Sequence, residues 1–548
     1  MKDIFAKCLS VWTYILTHRT HYIITLLLFI FCLQAITSAF VNSVTVDEFA
    51  HLPSGIYYWQ TGNLKLYHHN PPLLKMWAAL PVKSTKLQVP KTINNRWQLG
   101  LQFMFQNTRN YHLNFVLGRI MIIILSLLTG YILLLFVKKI MGIKAGLFAL
   151  FLYTFSPNII AHSYLVTTDL GVTFGIITTL YTFWLYLQRP SYKNIALCSF
   201  CFGVALLIKF STLILLITLP FLAFLYYLFN REEMDCKKYL KGLLLIFLGA
   251  IFVVNCGYVF DGSFTLLKNY NFSSKLCLKL QTALPGNIPI PLPTEYIQGF
   301  DHQKYEAGNT PVLYYLCGQY STKGWWYYFP MAMLLKTPIP LLLLITWGLF
   351  LIFRQKGRNA VFYYYILSFV AIFFFICCMF VMNIGLRYLL PIYPFLFIIS
   401  ARVSKERGKK ARIGMSLLLI WLAITTISIY PHHLSYFNEI AKGADNGYKY
   451  LADSNLDWGQ DLIFLRRYMK KNNIQTIYMS NFGLIDPGIY GIDYKPLTAV
   501  PAKGYIAISA NHLLGISPWK NTQNSFNWLR NLKIHDKAGY SIFIYKNE

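Results

Sequence analysis

Two adjacent carboxylates, Asp47 and Glu48, stand directly after an apolar run that covers residues 22–41. This run is long enough to cross a lipid bilayer as a helix, so the two acids fall where that helix leaves the membrane. A carboxylate at such a boundary is costly to desolvate, and it is therefore hydrated, paired or used in chemistry. In the last case an acid can serve as a general base towards a hydroxyl.

Other charged residues also stand at the ends of apolar runs, namely Asp169, Lys209, Lys336 and Arg387. Most of them have a structural reading as well. Asp169 could favour a helix N-terminus, and Lys336 and Arg387 could extend to lipid headgroups. Lys209 interrupts "LLIKFS", where an isolated cation has costly surroundings.

Taken together, these charges suit an anionic amphiphile that reacts with a hydroxyl. A carboxylate can accept the proton of the hydroxyl, and the cations can hold a lipid phosphate and stabilise the charge that grows on it as it leaves. Lys75, in "NPPLLK", is a further phosphate candidate, and we count His51 and Asn70 among the substrate-binding residues.

The histidines of the same region are weak metal candidates. His68 and His69 are adjacent, so in regular structure their side chains point apart. A site that combines them with Glu48, His51 or His302 is conceivable. We assign no metal ligand and expect no required cofactor, and a divalent metal stays an unsupported alternative.

These residues are set among apolar runs that predict about eleven transmembrane helices. The chain is 56% hydrophobic and only 13% charged, which is typical of a polytopic membrane protein. We expect the fold to be all-α in the membrane. The predicted spans cover residues 22–41, 115–137, 145–162, 170–187, 194–208, 211–229, 241–259, 331–353, 360–381, 386–401 and 413–430.

The positive charges predict the orientation of these spans. Lys and Arg crowd alternate short loops, such as 138–144 and 402–412, whereas loops 163–169 and 382–385 carry none. By the positive-inside rule the N-terminus is cytoplasmic. The net charge of +29 indicates contact with membrane lipids or a phosphate-bearing substrate, and not with nucleic acid, because the cations are scattered among hydrophobic spans.

The same orientation places three long segments outside the cytoplasm. These are loop 42–114, loop 260–330 and the tail 431–548. We therefore predict a transmembrane domain over residues 1–430 and a small extracytoplasmic α/β domain over 431–548. In the tail, "LDWGQDLIFLRRYMKKNN" has helical spacing, and "TIYMSN", "GYIAIS" and "YSIFIYK" read as short strands.

Several motifs resemble those of one glycosyltransferase family. "VDE" after the first span, "NPPLLK" in the following loop and "TTD" at the fourth span resemble the protein O-mannosyltransferase and aminoarabinose transferase group, GT-C fold enzymes of family 39. "GWWYYFPMAMLLKTP", "LRYLLPIYPFL" and "SYFNEIAKGADNGYKYLADSNLDWGQDL" resemble a bacterial branch of it. The similarity extends from residue 45 to about residue 495.

The resemblance implies a sugar donor on a polyprenyl phosphate, undecaprenyl phosphate in a bacterium, and inversion at the anomeric carbon. It implies that Asp47 is the catalytic base, that Glu48 orients the acceptor or supports the loop, and that Asp169 is an acceptor-site or supporting carboxylate. Two departures bear on acceptor specificity. The eukaryotic mannosyltransferases have His where this chain has Asn70, and loop 260–330 has no room for their large inserted domain.

We therefore expect a glycosyltransferase in a bacterial inner membrane that modifies an extracytoplasmic hydroxyl of a protein, of lipid A or of another glycan. Lys75, Lys209, Lys336 and Arg387 are the candidate phosphate contacts. A transporter or flippase of a lipid-linked precursor is the alternative, but no internal repeat is evident and the charges stand at span ends. A non-catalytic scaffold is a third reading, against which the intact acids argue.

Overall fold

The computed structural model describes residues 2–88, 93, 95–232, 235–309, 312–355, 360–517 and 525–547, with side chains from residue 20 onward. Its helices are α1 Lys2–Val41, α2 Val46–Thr61, α3 Leu73–Ala79, α4 Arg96–Gln106, α5 Tyr111–Met141, α6 Ile143–Thr154, α7 Pro157–Ser163, α8 Thr168–Gln188, α9 Tyr192–Leu206, α10 Leu215–Asn230, α11 Cys236–Gly257, α12 Lys275–Ala283, α13 Thr294–Asn309, α14 Tyr328–Lys336, α15 Ile339–Phe353, α16 Ala360–Phe380, α17 Tyr393–Ala401, α18 Lys409–Ser428, α19 Leu462–Lys471, α20 Ala510–Leu513 and α21 Asn527–Arg530.

Apolar helices of membrane-spanning length dominate this list, so the prediction of an all-α polytopic membrane protein is confirmed. In the described part of the chain, 8 helices are long and apolar enough to span a bilayer, and 10 if each of two bent helix pairs counts as one span. The predicted span 194–208 corresponds to α9, an apolar helix of 15 residues that is shorter than a full crossing.

Two predicted spans are bent instead of straight. The span predicted over 145–162 consists of α6 and α7, at 68° to each other, and that over 331–353 consists of α14 and α15, at 114°. The first break is followed by Pro157 and the second by Pro338. Because proline lacks an N–H and disfavours helical geometry in the residue before it, both helices end there.

Two long loops that the basic residues are expected to place outside, loop 42–114 (the first outer loop) and loop 260–330 (the second outer loop), have secondary structure of their own. Loop 42–114 contains α2, α3 and α4, and loop 260–330 contains α12, α13 and a hairpin of β1 (Tyr314–Leu316) and β2 (Gln319–Ser321). Helix α2 follows α1 almost directly and begins with a reciprocal capping box, in which Thr45 and Glu48 satisfy each other's backbone N–H groups.

The tail after α18 forms a mixed five-stranded sheet. Its strands are β3 Ile477–Ser480, β4 Tyr494–Pro496, β5 Gly504–Ser509, β6 Asp536–Ala538 and β7 Ile542–Asn547, in the order β4-β3-β5-β7-β6. Strands β4, β3 and β5 are parallel, whereas β7 pairs antiparallel with β5 and β6. The three predicted strands are thus confirmed, and the predicted helix begins at Leu462 instead of Leu456.

Two deeply buried spans carry candidate residues to one end of the bundle. Helix α8 and the segment Leu386–Lys405 are the spans with the largest buried share. The second of these begins with a 3-10 segment, Leu386–Ile392, before it continues as α17. Asp169 and Arg387 stand at the start of these two spans, next to the N-terminus of α2.

Candidate functional site

Four charged side chains from distant parts of the sequence form a continuous row, which we call the charged row: Asp47, Arg387, Asp169 and Lys209. Nη1 of Arg387 lies 2.6 Å from Oδ2 of Asp47 and 3.5 Å from Oδ2 of Asp169. The other oxygen of Asp169 accepts from Nζ of Lys209 at 2.9 Å. Acids and cations therefore alternate, and each charge has an opposite neighbour.

Asp47 is the accessible carboxylate of the charged row. Its side chain is 27% exposed, whereas that of Asp169 is 2% exposed. Burial by itself raises the pKa of Asp47, but neighbouring positive charge, chiefly that of Arg387, and the hydrogen bond from Arg387 together hold the pKa below its usual value. Asp47 is thus an ionised carboxylate that an approaching substrate can reach.

Arg387 and Lys209 are held by aromatic rings as well as by the acids. The guanidinium carbon of Arg387 lies 4.3 Å from the ring centre of Trp458 and 5.2 Å from that of Tyr388. Lys209 lies 5.1 Å from the Tyr388 ring. Nε of Arg387 is buried and has no hydrogen-bond partner among the described residues. A polar donor at the site is therefore unsatisfied.

Glu48 faces away from the charged row and forms a bidentate pair with Arg119 in α5. Nε and Nη2 of Arg119 donate to its two carboxylate oxygens at 2.8 and 2.6 Å, and both side chains are fully buried. Burial by itself raises the pKa of Glu48, but Arg119 holds it below its usual value. The remaining Arg119 donors bind the carbonyls of Ala39, Asn42 and Ser43, so the pair fixes the turn between α1 and α2.

His51 and Lys75 form a buried layer behind Asp47. Nδ1 of His51 bonds the Val166 carbonyl at 2.8 Å and Nε2 bonds the Tyr67 hydroxyl at 3.0 Å. Burial lowers the pKa of His51 to about 4, so its ring is neutral. Because a carbonyl can only accept a hydrogen bond, Nδ1 is the protonated nitrogen and donates to Val166.

The Lys75 ammonium lies in the same buried layer. It donates to the backbone carbonyls of Asn70 and Tyr67 at 2.8 and 3.1 Å, and it lies 4.0 Å from the Tyr67 ring centre. The side chains of Lys75 and His51 thus hold the first outer loop in shape, whereas Oδ1 of Asn70 is buried with no hydrogen-bond partner among the described residues.

Lys336, the last residue of α14, is also buried, where this helix contacts the tail. Its ammonium donates to the carbonyl of Leu434 at 2.8 Å and to the carbonyl of Asn455. The structure therefore brings Asp47, Asp169, Lys209 and Arg387 into the charged row and leaves Lys336 outside it, as a contact between α14 and the tail.

One group of side chains has the composition of a metal site. His69 of the first outer loop and His302 and Glu306 of α13 offer ligand atoms that lie within 4.8 Å of one another. Glu306 binds Nε2 of His69 at 2.6 Å and Nε2 of His302 at 3.0 Å. The Arg96 guanidinium lies 3.2 Å from Nδ1 of His69 and 3.5 Å from Glu306. The positive charge of this side chain therefore already contacts two of the three residues.

The sequence patterns did not single out three residues of this region, namely Arg119, Trp458 and Asp453. Arg119 lies inside a predicted span, and a cation within an apolar run is a signal in itself. Trp458 and Asp453 lie in the tail; burial raises the pKa of Asp453 to about 6. A sequence pattern gives no warning that tail residues pack beside the N-terminus of α2.

A known family matches one segment of the chain that includes part of the charged row. Residues 112–256, which contain Arg119, Asp169 and Lys209, match the family described as dolichyl-phosphate-mannose-protein mannosyltransferase. No curated protein sequence matches the chain.

Solved structures similar to the chain are distant from it in sequence. ArnT from Cupriavidus metallidurans bound to undecaprenyl phosphate is 11% identical, with a TM-score of 0.47 over 95% of this chain and 97% of that one. Its apo state gives a TM-score of 0.44 at 11% identity over the same shares. An Archaeoglobus fulgidus oligosaccharyltransferase in complex with Zn and sulfate gives 0.44 at 12% identity, over 91% of this chain and 70% of that one.

The polytopic architecture, the charged row and the family match agree with the resemblance drawn from the motifs. The chain is a multi-pass membrane protein in which residues 112–256 are similar to the dolichyl-phosphate-mannose-protein mannosyltransferase family.

Proposed function

We propose that the enzyme transfers a sugar from a polyprenyl phosphate, undecaprenyl phosphate in a bacterial inner membrane, to a hydroxyl on the extracytoplasmic side. The acceptor is a protein Ser or Thr, lipid A or another glycan. The observation that carries this proposal is the charged row, in which a partly exposed carboxylate, Asp47, contacts a buried guanidinium, Arg387, at 2.6 Å. A base and a phosphate-binding cation are thereby adjacent.

The reaction needs one base and one stabilised leaving group. Asp47 accepts the proton of the acceptor hydroxyl while the hydroxyl oxygen forms a bond to the anomeric carbon. The bond from that carbon to the phosphate oxygen breaks, and the polyprenyl phosphate leaves with the electron pair. Attack opposite to the leaving phosphate inverts the anomeric configuration. Because phosphate is a good leaving group, no general acid is required.

Arg387 couples donor binding to the strength of the base. In the free enzyme its guanidinium lowers the pKa of Asp47 and so weakens the carboxylate as a base. A bound donor phosphate accepts from Arg387, including its unpartnered Nε, and draws positive charge away from Asp47. The pKa of Asp47 then rises, and the base becomes stronger only when a donor is present.

Lys209 and Asp169 complete the proposal. Lys209, which is 12% exposed, is the second phosphate contact and stabilises the leaving group. Asp169 lies between the two cations and keeps them in position. Glu48 supports the loop that carries Asp47, through its pair with Arg119.

Replacement of the base tests the proposal. We expect Asp47→Asn to lower transfer by about 10²–10⁴-fold, the usual contribution of a general base, and to leave donor binding intact. The purified protein is reconstituted into liposomes with a panel of undecaprenyl-phosphate sugars, and release of free undecaprenyl phosphate is measured together with acceptor labelling.

Asp445→Asn is the matched control. Asp445 is an exposed acid of the tail that pairs with Lys537 and makes no ion pair with any member of the charged row. Its turnover stays near that of the wild type. Near-wild-type turnover of Asp47→Asn, with an unchanged unfolding temperature, would remove Asp47 from the mechanism.

A further inference from the structure

A polar cavity lies at the end of the helical bundle opposite to the charged row. It has a volume of about 620 Å³ and is formed where the ends of several spans meet. Helix α8 begins at Thr168, next to the charged row, and its last turns line the cavity with Trp184 and Gln188. At 1.5 Å per residue, the 15 residues from Asp169 to Trp184 cover about 22 Å, so the cavity and the charged row lie at different membrane depths.

Cations predominate in the lining of this cavity. Lys139 comes from the last turn of α5, and Arg402 and Lys405 come from the end of the span that begins with Leu386. The acid of the lining is Glu406, which pairs with Arg402 at 3.2 Å. Lys139 and Lys405 have no ion-pair partner among the described residues, so two positive charges face the cavity unbalanced.

A buried aromatic side chain forms part of the inner wall of the cavity. Trp184 is 4% exposed, and its Nε1 is buried with no hydrogen-bond partner in the part of the chain that the structure describes. The ring is packed between Phe362, Tyr365 and Tyr226, which hold it in place. Because this N–H has no accessible surface, Trp184 shapes the cavity and the lysines are its charged contacts.

The remaining lining combines amides with apolar side chains. Gln188, Asn230 and Gln355 line the cavity together with Ile140, Met141 and Val361. A molecule that fills this cavity thus needs an anionic group for the lysines and further polar groups for the amides. Basic pockets between transmembrane helices on the cytoplasmic side have the features of anionic lipid headgroup sites.

We propose that this cavity binds the phosphodiester headgroup of an anionic phospholipid in the leaflet opposite to the charged row. The phosphate oxygens accept from Lys139 and Lys405, the glycerol oxygens meet the amides, and the acyl chains extend along Ile140, Met141 and Val361. Under the orientation expected from the basic loops, this leaflet is the cytoplasmic one. The site is separate from the transfer reaction and stands independently of it.

Lipid binding by paired variants tests the proposal. The delipidated full-length protein is titrated with phosphatidylglycerol, with phosphatidylcholine and with inorganic phosphate, and bound molecules are counted by native mass spectrometry. We expect Lys139→Gln with Lys405→Gln to weaken phosphatidylglycerol binding about tenfold or more. The matched control is Lys138→Gln with Lys410→Gln, which removes two neighbouring exposed cations that do not line the cavity.

Trp184→Phe, which keeps the aromatic wall and removes only an inaccessible N–H, should leave the same binding unchanged. Equal loss in the cavity and control pairs would overturn the proposal in favour of diffuse surface charge. Equal binding of phosphatidylcholine would also overturn it. Displacement of the lipid by millimolar inorganic phosphate would assign the cavity to a soluble anion instead.

Discussion

Asp47 and Glu48 are neighbours in the chain with opposite environments. The Asp47 side chain is 27% exposed and contacts one guanidinium, whereas the Glu48 side chain is fully buried and receives four hydrogen-bond donors from Thr45, Val166 and Arg119 in addition to the Thr45 hydroxyl. Consecutive residues in the first turn of a helix point in directions about 100° apart, so one faces the solvent side and the other faces α5. Asp47 and Glu48 therefore differ in role because their side chains point in different directions.

The two acids should therefore differ in their effect on stability. We expect Glu48→Gln to lower the free energy of unfolding by about 3–5 kcal/mol, because it leaves the buried charge of Arg119 without its counter-ion. Thermal unfolding in detergent measures the effect. Asp47→Asn is the comparison, since it changes a partly exposed acid and should leave the unfolding temperature nearly unchanged. Equal losses in the two variants would contradict this division.

At the scale of elements, the break between α14 and α15 connects the membrane part to the tail. The Asn438 side chain donates to the carbonyls of Leu334 and Thr337 at 2.6 and 2.8 Å, which are groups that the end of α14 leaves without helical partners. Lys336 adds its bonds to Leu434 and Asn455 from the other direction. The bend is therefore the place where the tail is held.

Removal of the Lys336 ammonium should loosen the tail. In Lys336→Met the carbonyls of Leu434 and Asn455 lose a buried donor, at a cost of about 1–3 kcal/mol for an unsatisfied group. We expect faster limited proteolysis within the tail, measured by the rate at which the intact chain disappears. Lys323→Met, which changes an exposed lysine of the second outer loop, is the control. Equal digestion rates would show that Lys336 does not anchor the tail.

At the scale of the whole molecule, the tail and the first outer loop enclose the charged row from two sides. Trp458 packs against Arg387, and the backbone of Val46 donates to the Trp458 carbonyl at 3.0 Å. The tail is thus in direct contact with the start of α2, next to Asp47. Both parts must lie on the same side of the membrane, which agrees with the orientation expected from the basic loops.

Cysteine labelling checks that orientation in the whole protein. Cys317 and Cys236 are both exposed, the first in the outer hairpin region and the second at the start of α11, in a loop expected to be cytoplasmic. Variants that keep Cys317 or Cys236 as the single cysteine, with the other nine of the ten replaced by Ser, are treated in intact cells with a membrane-impermeant maleimide. We expect labelling of Cys317 before lysis and of Cys236 only after lysis. The reverse pattern would invert the topology and place the charged row in the cytoplasm.

The sequence by itself determined the parts of this protein that depend on local patterns. Apolar run length predicted the spans, alternation predicted β3, β5 and β7, and the placement of charge at span ends singled out all four members of the charged row. These inferences succeed because the thickness of a bilayer sets the length of each apolar run and because a buried charge is costly. Both constraints act on consecutive residues and are therefore visible in the sequence.

Only the tertiary structure decided which charges work together. Lys75 and Lys336 look like Lys209 and Arg387 in the sequence, yet the first two are bound by backbone carbonyls while Lys209 and Arg387 meet Asp169 and Asp47. The pairing of Glu48 with Arg119, the contact of Trp458 with Arg387, and the cavity around Trp184 join residues from separate spans. Such contacts depend on which way each helix faces and where proline bends it, and neither is fixed by the hydrophobic pattern along the chain.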